Sequence, residues 1–154
     1  MLPEAGQVVA GRYLIEEKIK EGGQGVVYRA HDQRLDCSVA LKFIKPQYLN
    51  DLQLRQRLAG EARAAAAIQH PGIARSSDYV DNERECFVAY EFVEGITLRD
   101  ELINRKRFPL DQILKVGVTV ADALCKAHKK GVIHRDLKPE NIMLSPEKIG
   151  RAHV

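Results

Sequence analysis

Cysteine is scarce in this sequence of 154 residues, and no uninterrupted apolar run is long enough to cross a bilayer. The three cysteines lie far apart and form no C-x-x-C pair, which argues against a zinc site or a disulfide framework. Reduced thiols fit a cytoplasmic setting. The N-terminus has neither the basic nor the apolar segment of a secretory signal peptide. We therefore expect a cytoplasmic protein with no membrane contact in this segment.

A large excess of one charge sign is also lacking. The chain has 24 lysine and arginine residues against 21 aspartate and glutamate residues, and its net charge is +3. The basic residues are spread along the chain, so there is no case for binding of nucleic acid. A hydrophobic fraction of 45% over 154 residues is enough for one ordinary domain with its own core.

The first part of the chain has the pattern of an antiparallel sheet with one helix. Short apolar runs bounded by turn residues predict strands at residues 12–19, 25–30, 39–44, 78–80 and 85–92. The first two runs flank a glycine-rich bend, which is typical of a hairpin. Residues 51–69 are rich in Ala, Leu, Arg and Glu and predict a helix that stops at His70-Pro71-Gly72.

The second part of the chain is predicted to be mainly helical. Thr97-Leu98-Arg99-Asp100 resembles a capping box at the start of a short helix. Pro109 begins a longer helix that ends at Gly131. A short strand over residues 142–144 and a polar turn over residues 145–152 follow, and His153-Val154 begins a returning strand. One stripe of the longer helix contains Ile113, Gly117, Val120, Leu124 and His128.

The most specific motif is His134-Arg135-Asp136-Leu137-Lys138-Pro139-Glu140-Asn141, directly after the longer helix. It matches the pattern H-R-D-L-x-x-x-N, in which the aspartate accepts a proton and the asparagine holds a metal ion. An exposed polar loop would not require this complete octet. Chance production of the full motif is very unlikely, so it carries more weight than any other segment.

From about Gly11 to Val154 the sequence resembles eukaryotic-type protein kinases, and most of all their bacterial serine/threonine branch. The resemblance implies an α+β, protein-kinase-like fold. Residues 1–94 would form an antiparallel-sheet small lobe with one helix, and Glu94-Gly95 would be the hinge. Residues 95–154 would supply the first helices and the catalytic loop of a truncated large lobe, because the 154 residues end before a D-F-G motif.

The resemblance also implies roles for the catalytic octet. Asp136 would orient and deprotonate the acceptor hydroxyl, and Lys138 would neutralise charge on the transferred phosphoryl group. Asn141 would be the metal ligand, and His134 would pack behind the site. A lysine at position 138 resembles serine/threonine rather than tyrosine kinases. The implied cofactors are ATP and Mg²⁺, and the implied partner is a protein substrate with a serine or threonine hydroxyl.

Two further motifs match the nucleotide-binding segments of the family. Residues 19–28 match G-x-G-x-x-G-x-V, although Lys20 occupies the first glycine position, and alone such a bend is more often a plain hairpin turn. Val39-Ala40-Leu41-Lys42 matches V-A-I-K, whose lysine contacts the phosphates and pairs with a helix glutamate, here Glu61. The implied nucleotide-binding residues are Ile19, Gly22, Gly23, Gly25, Val27, Ala40, Lys42, Glu61, Glu91, Val93 and Met143.

The segment around residue 90 is less specific. The resemblance implies that Tyr90 is the gatekeeper, that the Glu91 carbonyl and the Val93 N–H bind adenine, and that Met143 lies beneath the ring. A core strand followed by a turn explains the same residues.

Three functions remain open at this point. The first is a serine/threonine protein kinase, present as an N-terminal fragment that is inactive alone. The second is a truncated pseudokinase that acts as a nucleotide-binding or scaffolding module, which Lys20 favours. The intact Lys42, Glu61 and Asp136 argue for the first. A small-molecule kinase of the same fold is less typical of the octet.

Overall fold

The computed structural model describes residues 1–105, 107–146 and 151–152. The strands are β1 (Val8–Val9), β2 (Tyr13–Glu21), β3 (Gly25–Asp32), β4 (Cys37–Ile44), β5 (Ser76–Asp81), β6 (Cys86–Glu91), β7 (Ile96–Thr97), β8 (Ile142–Leu144) and β9 (Arg151–Ala152). The helices are α1 (Leu52–Ala67), α2 (Leu98–Asn104) and α3 (Leu110–Lys129), with short 3₁₀ turns at Pro46–Tyr48 and Pro139–Asn141. None of the helices in these ranges is both long and apolar enough to span a bilayer.

The chain divides into two compact units. One, called here the sheet unit, contains Met1–Ala66 and Ser76–Phe92. The other, called the helical unit, contains Ala67–Arg75 and Val93–Val154.

The sheet unit is built on six antiparallel strands in the order β1-β2-β3-β4-β6-β5. Side chains alternate between the two faces of a strand, so each face gathers its own apolar cluster. The aromatic face carries Tyr13, Tyr28, Phe43 and Phe87 among its buried residues. On the opposite face, called the helix face, Ala40, Ile44, Val88 and Tyr90 form one cluster with Leu58, Ala62 and Ala65 of α1. The core of this unit therefore lies on both sides of the sheet.

The predicted strands and helix of the sheet unit are present with shifted ends. Helix α1 ends at Ala67, two residues before the predicted end at residue 69. At its start the Asp51 carboxylate accepts a hydrogen bond from the Leu54 N–H over 3.0 Å. Strand β5 extends to six residues where only 78–80 was expected, because it pairs with β6 along its length. The two-residue strand β1 was not predicted.

The helical unit begins its helices as the capping signals predict. Thr97 accepts a hydrogen bond from the Asp100 N–H over 3.0 Å and donates to its carboxylate over 2.7 Å. Helix α3 follows Pro109, and Gly131 lies directly after the C-cap with a φ of +73°. At Gly95, φ is +143°, and a Cβ would collide with the Leu144 carbonyl oxygen of β8. Only glycine fits this close approach.

Only one of the five residues in the α3 stripe named from the sequence is buried. Ile113, Gly117 and His128 are exposed, whereas Val120 is buried and Leu124 is half-buried. The contacts of the helix decide which stripe is buried, because Ile68 and Ile73 pack on one part of it and Ile142 on another. The buried positions are Val116, Val120, Ala123 and Ala127.

Strands β7, β8 and β9 form a small antiparallel sheet in that order. Residues 142–144 are a strand, as predicted. The polar turn lies partly outside the described residues, and so does the predicted strand start at His153-Val154. The segment paired with β8 is Arg151–Ala152.

Candidate functional site

Lys42 and Glu61 form an ion pair within the sheet unit. Lys42 lies on the central strand β4, and its Nζ donates to Glu61 Oε2 of α1 over 2.5 Å. This is the pairing that the sequence predicts. The two side chains are 41% and 34% exposed. An ion pair with this degree of exposure contributes little stability, but it holds an ammonium group in place where a ligand can still reach it.

A second set of contacts fastens α1 to the neighbouring strand. Arg55 Nε donates to Asp81 Oδ1 over 2.8 Å, and its Nη2 donates to the same carboxylate and to the Asn82 carbonyl. Directly after Glu61, the Ala62 carbonyl accepts a hydrogen bond from Ser76 Oγ over 2.5 Å. Glu61 is therefore held opposite β4 by contacts on both sides of it along the helix.

Apolar residues of the predicted nucleotide site lie beside this ion pair on the helix face. Ala40 and Tyr90 are directly paired across β4 and β6, and both are buried. Val27 is half-buried against the same cluster. The structure thus brings together Val27, Ala40 and the predicted gatekeeper.

The Tyr90 hydroxyl is a buried donor without a hydrogen-bond partner in the part of the chain that the structure describes. Burial of the ring and the nearby negative charge of Glu61 both raise the pKa of Tyr90. A buried hydroxyl without a hydrogen-bond partner lowers the stability of the folded chain.

The glycine-rich bend joins β2 to β3. The Gly22 N–H donates to the Gly25 carbonyl over 2.9 Å and closes the bend. A Cβ on Gly25 would lie 2.7 Å from the Phe43 carbonyl oxygen of β4, so this position requires glycine. Gly22 and Gly23 are exposed. Ile19 is 49% exposed and lies at an irregularity of the β2–β3 pairing.

A cluster of charges beside the bend was missed by the sequence analysis. Glu21 accepts from Lys45 over 2.9 Å and from Lys18 over 3.0 Å. The hydrogen bond from Lys45, followed by the one from Lys18, lowers the pKa of Glu21 to about 2. The carboxylate ties the bend to the end of β4. Because Lys45 lies 24 positions after Glu21, no local pattern in the sequence indicates this contact.

The predicted catalytic residues converge on one carboxylate in the helical unit. Lys138 Nζ lies 3.0 Å from Asp136 Oδ2. Asn141 Nδ2 donates to the same oxygen over 3.2 Å and to the Asp136 carbonyl over 2.9 Å. The hydrogen bond from Lys138 lowers the pKa of Asp136 below its ordinary value, and the Asn141 amide acts in the same direction. The carboxylate is exposed and ionised at neutral pH.

The backbone of this loop holds the three side chains together. Arg135 has a φ of +63°, an unfavourable conformation for a residue with a Cβ. The Asp136 N–H donates to His134 Nδ1 over 3.2 Å, and the Asn141 N–H donates to the Lys138 carbonyl over 2.9 Å. The 3₁₀ turn at Pro139–Asn141 thereby returns Asn141 to Asp136.

The remaining predicted nucleotide-binding residues have the positions of ordinary strand and core residues. Glu91 ends β6 and pairs with Val39. Val93 is buried. Met143 is half-buried and pairs with Thr97 in the small sheet. Their predicted roles at adenine stay predictions.

The loop that contains Asp136 and Asn141 offers ligand oxygens suited to a hard cation. The described residues contain no group of three or more His, Cys, Asp and Glu side chains that could hold a metal ion. Mg²⁺, however, commonly takes one or two protein oxygens and completes its octahedron with phosphate and water. The hydrogen bonds of the Asn141 amide run through Nδ2. Its Oδ1 is therefore a ligand oxygen that fits Mg²⁺.

Comparisons with known proteins agree on one family, the protein kinases. The family described as protein kinase domain matches residues 13–150. Serine/threonine-protein kinase PknL of Mycobacterium tuberculosis is 39% identical over 145 residues, which cover 94% of this chain and 36% of that protein. The probable serine/threonine-protein kinase pknA2 of Bifidobacterium longum is 37% identical over 154 residues, which cover 98% of this chain and 20% of that protein.

A solved structure is similar over nearly the whole chain. The crystal structure of the M. tuberculosis PknI kinase domain matches with a TM-score of 0.84 and 27% sequence identity, covering 99% of this chain and 61% of that one. The chain spans between 20% and 36% of the length of the two curated relatives.

Proposed function

Since the chain belongs to the protein kinase domain family, we propose that it supplies the nucleotide-binding and catalytic-loop part of a serine/threonine protein kinase. The reaction is transfer of the γ-phosphoryl group of MgATP to a serine or threonine hydroxyl of a protein substrate. The observation that carries the proposal is the Asp136 carboxylate, held by Lys138 and Asn141. Residues 1–94 would be the small lobe, and residues 95–154 would belong to the large lobe.

Asp136 orients the acceptor hydroxyl and takes its proton as the new P–O bond forms. Its lowered pKa makes it a weak base that is fully ionised at neutral pH. A weak base suits a reaction in which positioning and charge neutralisation contribute most of the catalysis. Lys138, 3.0 Å from the same carboxylate, neutralises charge on the phosphoryl group.

The nucleotide is held by groups of both motifs near the N-terminus. Lys42 contacts the α- and β-phosphates while Glu61 keeps its side chain in place. The bend at Gly22, Gly23 and Gly25 lets backbone approach the phosphates. Mg²⁺, held by Asn141 Oδ1, would neutralise developing negative charge when bound. Contact with adenine comes from Ile19, Val27, Ala40 and Met143, and from the backbone of Glu91 and Val93.

A cytoplasmic setting belongs to the proposal, because ATP is available there and the free thiols of Cys37, Cys86 and Cys125 fit a reducing compartment.

ATP binding by the chain of 154 residues tests the proposal most directly. Isothermal titration with MgATP is expected to show one site, and Lys42→Met is expected to weaken binding about tenfold or more through loss of a charge-assisted contact. Lys115→Met removes an exposed lysine of α3 and serves as the matched control. A folded chain that binds no ATP would contradict the proposal.

Phosphoryl transfer is expected to be absent when these 154 residues are tested alone. Mg²⁺ is normally held by the catalytic-loop asparagine together with the D-F-G aspartate, and the sequence printed here contains only the first. Transfer to a generic acceptor protein that disappears in Asp136→Asn would contradict this expectation.

The binding-module alternative is favoured by Lys20 at the first glycine position. The DNA beyond codon 154 separates the two functions. A D-F-G codon run in any frame supports the kinase, whereas a stop codon followed by unrelated sequence supports a module that binds nucleotide without transfer.

A further inference from the structure

The register of the sheet places Lys20 on the same face as Lys42. In an antiparallel pair, residues directly opposite each other point to the same side of the sheet. Lys20 of β2 is paired with Val27 of β3, and Val27 is paired with Lys42 of β4. Val27 packs against the helix-face cluster, so all three side chains belong to the helix face. Two strand spacings separate the two lysines, which is about 10 Å.

The other lysines near the glycine-rich bend are neutralised on the opposite face. Glu21 is paired with Val26, a buried residue of the aromatic face. Its carboxylate binds both Lys18 and Lys45. Lys20 is exposed and, in the part of the chain that the structure describes, has neither an ion pair nor a side-chain hydrogen bond. It is the cation of this bend whose charge no carboxylate balances.

We propose that Lys20 is a second phosphate-binding cation, which contacts the polyphosphate of a bound nucleoside triphosphate from the open edge of the sheet. This rests on the proposed function, and it assigns a ligand role to the residue that replaces the first glycine of the bend. Lys42 shares its charge with Glu61, whereas the triphosphate carries several negative charges. Among the described residues the Lys20 ammonium has no paired carboxylate, and it lies on the same face. It therefore adds electrostatic attraction for the triphosphate to that of Lys42, whose charge Glu61 partly neutralises.

A plain structural role for Lys20 leads to a different expectation. Strand β1 pairs only with Tyr13 and Leu14, so β2 is an edge strand at Lys20. Lysines at edges prevent strands of other molecules from adding to a sheet. That role requires a charge in solvent and is indifferent to nucleotide.

Titration of the 154-residue chain with MgATP and with adenosine distinguishes the two. Lys20→Met keeps the length of the side chain and removes its charge. We expect it to weaken ATP binding about fivefold to tenfold and to leave adenosine binding unchanged, while Lys20→Arg retains the wild-type affinity. The matched control is Lys18→Met, two residues away on the other face, which is expected to change neither affinity.

The loss should also shrink as salt is raised, because the lysine is exposed and its charge is screened. Equal ATP affinity in Lys20→Met and wild type would overturn the inference and leave the proposed function intact. Tighter ATP binding in Lys20→Met would overturn it too, since the side chain would then obstruct the nucleotide. A wild-type chain that binds neither ATP nor adenosine would overturn both this inference and the proposed function.

Discussion

The sheet unit and the helical unit differ in how far their apolar side chains are buried. The sheet unit buries residues on both faces of its sheet, and Tyr13, Leu41 and Phe87 have no measurable exposure. Among its described residues, the helical unit has two small clusters, each with three or four buried residues. On α3, Leu110, Leu114 and Val118 are 70%, 59% and 69% exposed. Most of the burial that stabilises the chain therefore lies in the sheet unit.

The two units also hold their candidate site residues differently. Lys42 and Glu61 are 19 positions apart and meet because α1 packs on the sheet. Asp136, Lys138 and Asn141 lie within six residues and are held by hydrogen bonds of their own loop. The Lys42–Glu61 pair depends on the packing of a whole unit, whereas the contacts around Asp136 depend on local backbone geometry. Mutations in the two regions should differ accordingly.

The largest difference is expected from the same substitution placed in each unit. Leu41→Ala removes a side chain from the core of the sheet and should lower the free energy of unfolding by about 2–5 kcal/mol. Leu114→Ala on α3 should change it by less than about 0.5 kcal/mol, because the leucine is mostly exposed. Urea unfolding followed by circular dichroism measures both. Equal losses would show that α3 packs more tightly than its exposure indicates.

Breaking an ion pair should cost more in the sheet unit as well. Asp32 has no exposed side-chain area and accepts from Arg12 over 2.6 Å. Asp32→Asn is expected to cost about 3 kcal/mol at pH 7, because Arg12 loses its buried partner. The exposed pair Arg99–Glu140 provides the control, and Arg99→Ala should cost less than about 1 kcal/mol. A small loss for Asp32→Asn would contradict the comparison.

The pH dependence of stability gives a second test of Asp32. The hydrogen bond from Arg12 holds the pKa of Asp32 at about 2 in the folded chain. A depressed pKa contributes stability above the ordinary aspartate value near 4, and this contribution is lost as the pH falls towards 2. Asp32→Asn should reduce the pH dependence of the free energy of unfolding in this window, by the equivalent of up to one proton. Glu21 titrates in the same window, so Glu21→Gln is measured in parallel.

Smaller changes in the free energy of unfolding, opposite in sign to each other, are expected for substitutions of two tyrosines in the sheet unit. Tyr90→Phe removes a buried hydroxyl that has no partner and should raise the free energy of unfolding by about 1 kcal/mol. Tyr13→Phe removes a hydroxyl that donates to Asp78 over 2.8 Å and should lower it by about 1 kcal/mol. Losses at both positions would mean that the Tyr90 hydroxyl is satisfied in solution, for example by water.

The smallest effect on stability is expected in the loop around Asp136. Lys138→Met should change the free energy of unfolding by less than about 0.5 kcal/mol, because the pair with Asp136 is exposed. It should nevertheless raise the pKa of Asp136 towards its ordinary value, since Lys138 is the main cause of the lowered pKa. Carboxylate titration by NMR measures this change. An unchanged pKa would mean that the two side chains do not meet in solution.

The sequence motifs predict most helices and strands and several side-chain contacts. They do not predict contacts between residues that belong to no motif. The sequence predicts the pairing of Lys42 with Glu61 because both residues belong to known patterns. The network of Arg12, Asp32 and Asp78 was missed, since its members are 20 and 66 positions apart and resemble ordinary surface charges in the sequence. Burial of Asp32 depends on strands that are distant along the chain.

Local chemistry and local conformation can be read from the amino-acid sequence alone: the octet around Asp136, the cap at Thr97, the stop at Gly131 and the alternation along the strands. Such features depend on neighbours a few residues apart, where sterics and hydrogen bonding act directly. The buried stripe of α3 and the neutralised lysines near the glycine-rich bend become visible in the folded chain alone. Those outcomes depend on packing and strand register between distant segments, which no local pattern contains.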